Sequence, residues 1–192
     1  MGWTESVQAL EQKVEGMLRG TYRPQDGIPF FRVQYPPAQE REALAKLHLF
    51  ADRLSQRGWP TEIVSLTEIL EKALCDLLGV PPSGLSARLQ EWEQSLDRPE
   101  LLDMLKDSLP DAVVGVLVDR LKEVPKESVV VLVRLGALVP FVRSSTFESK
   151  LESKVQCVIV LPYPGTTLGA VLDVAAASAQ GGYYRGETIP WQ

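Results

Sequence analysis

Two apolar runs dominate the hydrophobic pattern in the last third of the chain, at 129–135 (VVVLVRL) and 155–161 (VQCVIVL). Both runs are rich in β-branched residues and stop near glycine or proline, a pattern that predicts strands buried on both faces of a sheet. The segment between them is long enough for one crossover helix. We therefore predict a βαβ unit with parallel strands over 128–165.

The first 80 residues alternate between helical and strand periodicity. The predicted elements are a helix between Thr4 and Gly20, a strand over 28–35, a helix over 38–57, a strand over 61–66 and a helix over 67–78. Glycines at 58 and 79 follow the second and third helices, as expected of helix ends. Strand, helix, strand and helix in succession favour a parallel sheet.

The middle of the chain shows only helical periodicity after the PPSG break at 81–84. We predict three short amphipathic helices over 86–96, 99–108 and 111–124, with Pro99 and Asp111 in first turns. Because this excursion exceeds the usual crossover, it predicts a helical subdomain over 82–125. Near the end, the alanine-rich 168–179 suits a small helix or a buried loop, and 183–189 predicts a short edge strand.

These elements predict the α/β class, with a mainly parallel sheet of about four to five strands flanked by helices and a helical insertion in the middle. The length of 192 residues and the 45% share of hydrophobic residues suit one domain over 1–192 that includes the subdomain.

Charge is distributed unevenly along the chain. The formal net charge is −5, while residues 61–125 alone carry six Lys or Arg against thirteen Asp or Glu, a balance of 6 − 13 = −7. This acidity disfavours direct binding to nucleic acid phosphates. The acidic surface is either a solvated helical face, which is the more common case, or a surface that attracts a basic partner.

The few cysteines and the single histidine point away from metal chemistry. Cys75 and Cys157 lack metal or CxxC spacing, and His48 alone does not complete a zinc site. The N-terminus lacks the features of a secretory signal, and the apolar runs are far shorter than a membrane helix. We therefore expect a cytoplasmic protein with buried thiols, no cofactor, no metal and no membrane contact.

Motifs for nucleotide or acyl chemistry are missing, since the chain contains no GxxxxGK[ST], GxGxxG or GxSxG. His48, inside a helix, is more often a boundary residue than a general base, and Asp173 is more often a helix cap than a site acid. The backbone after Gly165, at Thr166, offers a weak alternative as an anion site. We therefore expect no catalytic residue.

The distinctive residues follow the carboxyl ends of the two central strands, the edge where α/β sheets usually meet ligands. Together with a late Tyr-Tyr-Arg motif, they form a candidate surface for a partner or ligand: Gly136, Pro140, Phe141, Arg143, Tyr163, Pro164, Gly165, Tyr183, Tyr184 and Arg185. Arg143 either binds a carboxylate or phosphate or bonds loop carbonyls. The tyrosines either anchor an interface or cap the sheet edge.

Four segments, in their order and spacing, carry a resemblance to a known family: FFRVQYPP, GALVPFVRSSTFESKL, VQCVIVLPYPG and YYRGETI. They make the chain similar to the BrxB family of BREX phage-defence systems over roughly residues 28–190. The resemblance implies a small accessory subunit without established catalytic activity, working with larger BREX proteins that include an ATPase, a DNA methyltransferase and a phosphatase-like PglZ protein.

Two hypotheses of different classes follow. The leading one is a non-enzymatic adaptor of a BREX-type complex, docking to a PglZ-like phosphatase-superfamily protein or to the ATPase, without direct contact with nucleic acid. The alternative is a domain that binds a small ligand or nucleotide, with or without catalysis, in a pocket around Arg143, Thr166 and Tyr163.

Overall fold

The computed structural model describes residues 3–24, 27–165 and 186–189. Two short 3-10 turns, Pro37–Gln39 and Leu135–Leu138, accompany the main elements. In chain order the helices and strands are α1 Trp3–Leu18, β1 Phe30–Tyr35, α2 Glu40–Gln56, β2 Thr61–Ser65, α3 Leu66–Leu78, α4 Pro82–Ser95, α5 Arg98–Leu121, β3 Val129–Val133, α6 Ser144–Leu151, β4 Val158–Pro164 and β5 Glu187–Ile189.

The strands form one sheet in the order β2-β3-β4-β1-β5, and every pairing is parallel. The predicted α/β class, with a parallel sheet flanked by helices, is confirmed. The predicted βαβ unit is also confirmed, because β3 and β4 are neighbours joined through α6. Strand β5 lies within the predicted strand over 183–189 and occupies an edge of the sheet, as expected.

Helices cover both faces of the sheet, which explains the continuous apolar runs of its strands. Side chains of β3 alternate between two cores: Val130 and Leu132 pack toward α3, α5 and α6, while Val129, Val131 and Val133 pack toward α1 and α2. All five are buried. Fully burying one such side chain is worth about 1.5–3 kcal/mol, so this alternation fixes which strand residues face which helices.

The prediction of two helices over 99–108 and 111–124 is wrong, because α5 is continuous and contains Pro110. Its start is capped by Asp97, whose side chain accepts a hydrogen bond from the Glu100 N–H at 3.0 Å. Leu109, Val113 and Leu117 of α5 are all buried in the core between the sheet and the helices α3, α5 and α6. This burial offsets the cost of a proline inside a helix.

Several strand boundaries differ from the prediction, among them those of β3 and β4. Strand β3 ends at Val133 because the next residue, Arg134, adopts a left-handed conformation with φ of 66°. Strand β4 begins and ends three residues later than predicted, at Val158 and Pro164.

Among the described residues, every helix is too short or too polar to cross a membrane. The alanine-rich 168–179 lies outside the described residues, and the division with a subdomain over 82–125 stays a prediction.

Candidate functional site

The chain after β3 forms a tightly anchored turn at the carboxyl end of the sheet. Leu135 and Leu138, in the 3-10 turn, and Val142 are buried in the core beneath it. Backbone bonds close the segment, including one from the Val142 N–H to the Leu138 carbonyl at 2.8 Å. We call residues 134–143 and 163–165 the carboxyl edge, since the 3-10 turn packs against the neighbouring β4.

The carboxyl edge presents three predicted residues to solvent. Gly136, Pro140 and Arg143 are exposed, and Phe141 is half-buried and packs against the core. Arg143 immediately precedes α6 but its side chain does not cap the helix. Within the described part of the chain, its guanidinium has no hydrogen bond or ion pair. A guanidinium that no described residue engages has the geometry to bind a carboxylate or phosphate through paired hydrogen bonds.

The residues after the second predicted strand have a more internal position. Tyr163 lies within β4 and is fully buried in the core that faces α6. Pro164 is half-buried, and the Gly165 N–H donates to the Tyr35 carbonyl at 2.8 Å, which ties the ends of β4 and β1 together. These residues support the carboxyl edge from below. Other sequence candidates lie outside the described residues: Thr166, Asp173, Tyr183, Tyr184 and Arg185.

An ion pair that sequence reasoning missed lies beneath the carboxyl edge. Arg32 of β1, 1% exposed, donates through Nε to the Glu148 carboxylate of α6 at 3.0 Å. Its Nη1 also donates to Thr188 Oγ1 of β5 at 3.2 Å. The sequence feature that could have indicated this ion pair is the arginine inside the apolar strand FFRVQY, because a buried charge needs a partner. The pair joins α6, β1 and β5.

Burial dominates the electrostatics of this ion pair. Removal of the Glu148 carboxyl group from water raises its pKa to about 7, although the charge of Arg32 and its hydrogen bond lower this pKa. Among the described residues, neither oxygen Oε1 of Glu148 nor the hydroxyl of Ser144, one helical turn earlier, finds a hydrogen-bond partner, and both atoms are buried. Such a carboxyl group, with one oxygen held and one unsatisfied, exchanges a proton near neutral pH.

A second charged group lies at the carboxyl ends of β1 and β3. The exposed Arg134 guanidinium donates to the Glu40 carboxylate of α2 at 3.1 Å. Burial and the charge of Glu40 raise the pKa of Tyr35 beyond the ordinary range, so its phenol is neutral. This ion pair links α2 to the residue at which the 134–143 turn begins.

The remaining sequence candidates for chemistry lie apart from the carboxyl edge. His48 is exposed on α2, and Cys75 and Cys157 are buried and unbonded to each other. Burial raises the pKa of the Cys157 thiol, which keeps it protonated and unreactive. Among the described residues, no three His, Cys, Asp or Glu side chains are placed to hold a metal ion together.

Comparison with known proteins gives one positive result. No curated protein and no solved structure matches the chain. The family model of BREX protein BrxB matches residues 64–189, which is 126 of the 192 residues. This match includes the carboxyl edge and α6 with Glu148, and it agrees with the resemblance carried by the GALVPFVR and YPG segments. The chain therefore belongs to the BrxB family and is a component of BREX phage defence.

Proposed function

We propose that this protein is a cytoplasmic, non-enzymatic docking subunit of a BREX complex, and that the carboxyl edge is a surface through which it binds another subunit. The observation that carries the proposal is the contrast within residues 134–143. Leu135, Leu138 and Val142 are buried anchors, whereas Gly136, Pro140 and Arg143 are exposed. Binding residues are commonly held in this way, on loops fixed by a rigid scaffold.

The chemistry of this surface favours a protein partner with an acidic or phosphorylated contact. The Arg143 guanidinium, which no described residue engages, supplies a bidentate donor beside the partly exposed ring of Phe141. Arginine and aromatic side chains contribute most of the binding energy at many protein interfaces. The BREX proteins that we expect as partners are a PglZ-like phosphatase-superfamily protein and the ATPase. The acidic balance of residues 61–125 argues against direct contact with nucleic acid.

Co-purification with each of the other BREX subunits tests this proposal. We expect a stable complex with the PglZ-like protein or the ATPase, weakened about tenfold or more by Arg143→Glu, because reversing a charge at an interface introduces repulsion. Arg143 is exposed, so this change leaves packing intact. The double change of Phe141 and Arg143 to Ala is expected to weaken docking as well, with folding checked by thermal unfolding.

The matched control changes an arginine and an apolar residue elsewhere, Arg41→Glu with Leu49→Ala, both exposed on α2. We expect this control to bind like the unmodified chain. A chain that stays alone with every BREX subunit would contradict the docking function. A complex that is indifferent to Arg143→Glu would contradict the assignment of the carboxyl edge as the docking surface.

A further inference from the structure

Strand β2 lies at one edge of the sheet, and some of its backbone groups have no partner among the described residues. The Val129 N–H donates to the Pro60 carbonyl at 2.9 Å, and Thr61 is in register with Val129. Because successive residues direct their backbone groups to opposite sides of a strand, the N–H and C=O groups of Thr61 and Ile63 point away from β3. Within the described ranges, no hydrogen bond uses these four groups.

Two cavities are lined in part by β2. One, of about 460 Å³, lies beside Ile63 and Val64 and is lined by residues of α3 and α5. The other, of about 400 Å³, lies beside Thr61 and is bounded by the connection from α5 to β3. Arg120 of α5, which forms an ion pair with Glu62, lines both cavities. Residues 61–64 of β2 therefore each border one of the two cavities.

The walls of these cavities are acidic. Five carboxylates line them against two cations, a balance of 2 − 5 = −3: Glu62, Glu68, Asp76, Asp119 and Glu123 against Lys72 and Arg120. Glu68 in the first cavity and Glu123 in the second have no ion-pair partner among the described residues, and both are exposed. Arg120 interacts electrostatically with Glu68 without forming an ion pair with it. Each cavity thus has one carboxylate that forms no ion pair with a described residue, next to backbone groups that no described residue bonds.

We propose that β2 accepts an extended, basic segment of a partner protein as a sixth strand of the sheet. Backbone hydrogen bonds to Thr61 and Ile63 supply the pairing, as in other cases of strand addition. Arginine or lysine side chains on the α5 side of the added strand meet Glu68 and Glu123. Residues that often protect edges, lysine and proline, are missing from β2, whose sequence is TEIVS.

Charge argues for a basic partner over a second copy of this chain. A dimer through two β2 strands places the carboxylates of both cavities close to those of the other copy, and like charges across an interface are unfavourable. A basic segment instead neutralises Glu68 and Glu123. This inference does not rest on the proposed function, because it concerns a different edge of the sheet.

Nuclear magnetic resonance with a defined probe tests the inference. The probe is a seven-residue peptide that alternates valine with arginine, added to the isotope-labelled chain. We expect saturable shifts confined to β2, α3 and the end of α5. Two altered peptides should each bind at least about tenfold more weakly. A peptide with glutamate in place of arginine loses the charge pairing. The arginine peptide with alternate backbone amides methylated loses the backbone hydrogen bonds.

Charge-reversal variants supply the matched comparison. Glu68→Lys with Glu123→Lys is expected to weaken binding of the arginine peptide about tenfold. The same change at two exposed positions elsewhere, Glu42→Lys with Glu93→Lys, should alter it less than about twofold. The proposal is overturned by shifts outside the β2 edge, by equal affinity for the peptides, by no saturation at millimolar concentration, or by self-association of the chain through β2.

Discussion

The Arg32–Glu148 ion pair removes two charges from water in the middle of the fold. Its partners are 1% and 3% exposed, so the full cost of desolvation applies to both. Burial outweighs the attraction of Arg32 at Glu148, whose pKa rises to about 7. The pair therefore specifies which residues of β1 and α6 meet, and its net contribution to the free energy of unfolding depends on pH.

The raised pKa of Glu148 predicts a defined pH dependence of stability. Between pH 4.5 and about 7 the folded chain holds a proton at Glu148 that the unfolded chain has released. The free energy of unfolding of the unmodified chain, relative to Glu148→Gln, should therefore fall by about 3 kcal/mol as the pH rises through this interval, and then level off. Urea unfolding at a series of pH values measures this difference.

The variant Glu93→Gln is the control for this measurement, because Glu93 is exposed on α4. Its unfolding free energy should follow that of the unmodified chain at every pH. A difference curve for Glu148→Gln that is flat, or that rises with pH between 4.5 and 7, would show that the Arg32 charge prevails over burial.

At the scale of the elements, α5 shows how packing decides where a helix ends. Pro110 lacks the N–H that would bond the preceding turn, and the sequence around it predicts a break. Leu109 and Val113, on either side of Pro110, are nevertheless buried in the core. A break at Pro110 would pull these side chains out of contact, and the apolar burial is worth more than one backbone hydrogen bond.

Replacing Pro110 by Ala should therefore stabilise the protein. The change restores the missing N–H and removes the clash of the ring with the preceding turn, an effect of up to about 3 kcal/mol on the free energy of unfolding. Thermal and urea unfolding measure it. Pro99→Ala is the matched control, since Pro99 lies in the first turn of α5, where the N–H has no helical partner, and its effect should be small.

An equal effect of the two proline substitutions would contradict this account of α5. A loss of stability in Pro110→Ala would show that the ring itself fills space against the core. Pro110 is half-buried, so volume and backbone effects act in opposite directions, and the sign of the measured change separates them.

At the scale of the whole molecule, the sheet connects every described part of the chain. Helices α1 and α2 cover one face, α3, α5 and α6 cover the other, and α4 packs against α3 and α5. The helical insertion between β2 and β3 thereby shares its buried residues with the central strands. Such sharing favours a single cooperative unfolding transition.

Two variants that each retain one tryptophan, Trp59 or Trp92, test this cooperativity. Trp59 reports on the core around α1 and α2, and Trp92 reports on α4. We expect both fluorescence transitions in urea to have the same midpoint as far-UV circular dichroism. An earlier transition at Trp92 would show instead that residues 82–125 unfold as a separate subdomain.

Local patterns in the sequence determined most of the elements of this protein. Runs of β-branched residues predicted β3 and β4, and glycines marked the ends of α2 and α3, because burial on both faces and a left-handed helix end each demand particular residue types nearby. The exposed residues of the carboxyl edge were also identifiable, since they follow strand ends directly.

Only the tertiary structure decided the relations between distant residues. Arg32 and Glu148 are 116 positions apart, and no local pattern pairs them. The order β2-β3-β4-β1-β5 places β1 between β4 and β5, which depends on how the helices fill both faces of the sheet. The continuity of α5 through Pro110 and the free edge of β2 have the same origin, because burial and strand pairing depend on which elements become neighbours in space.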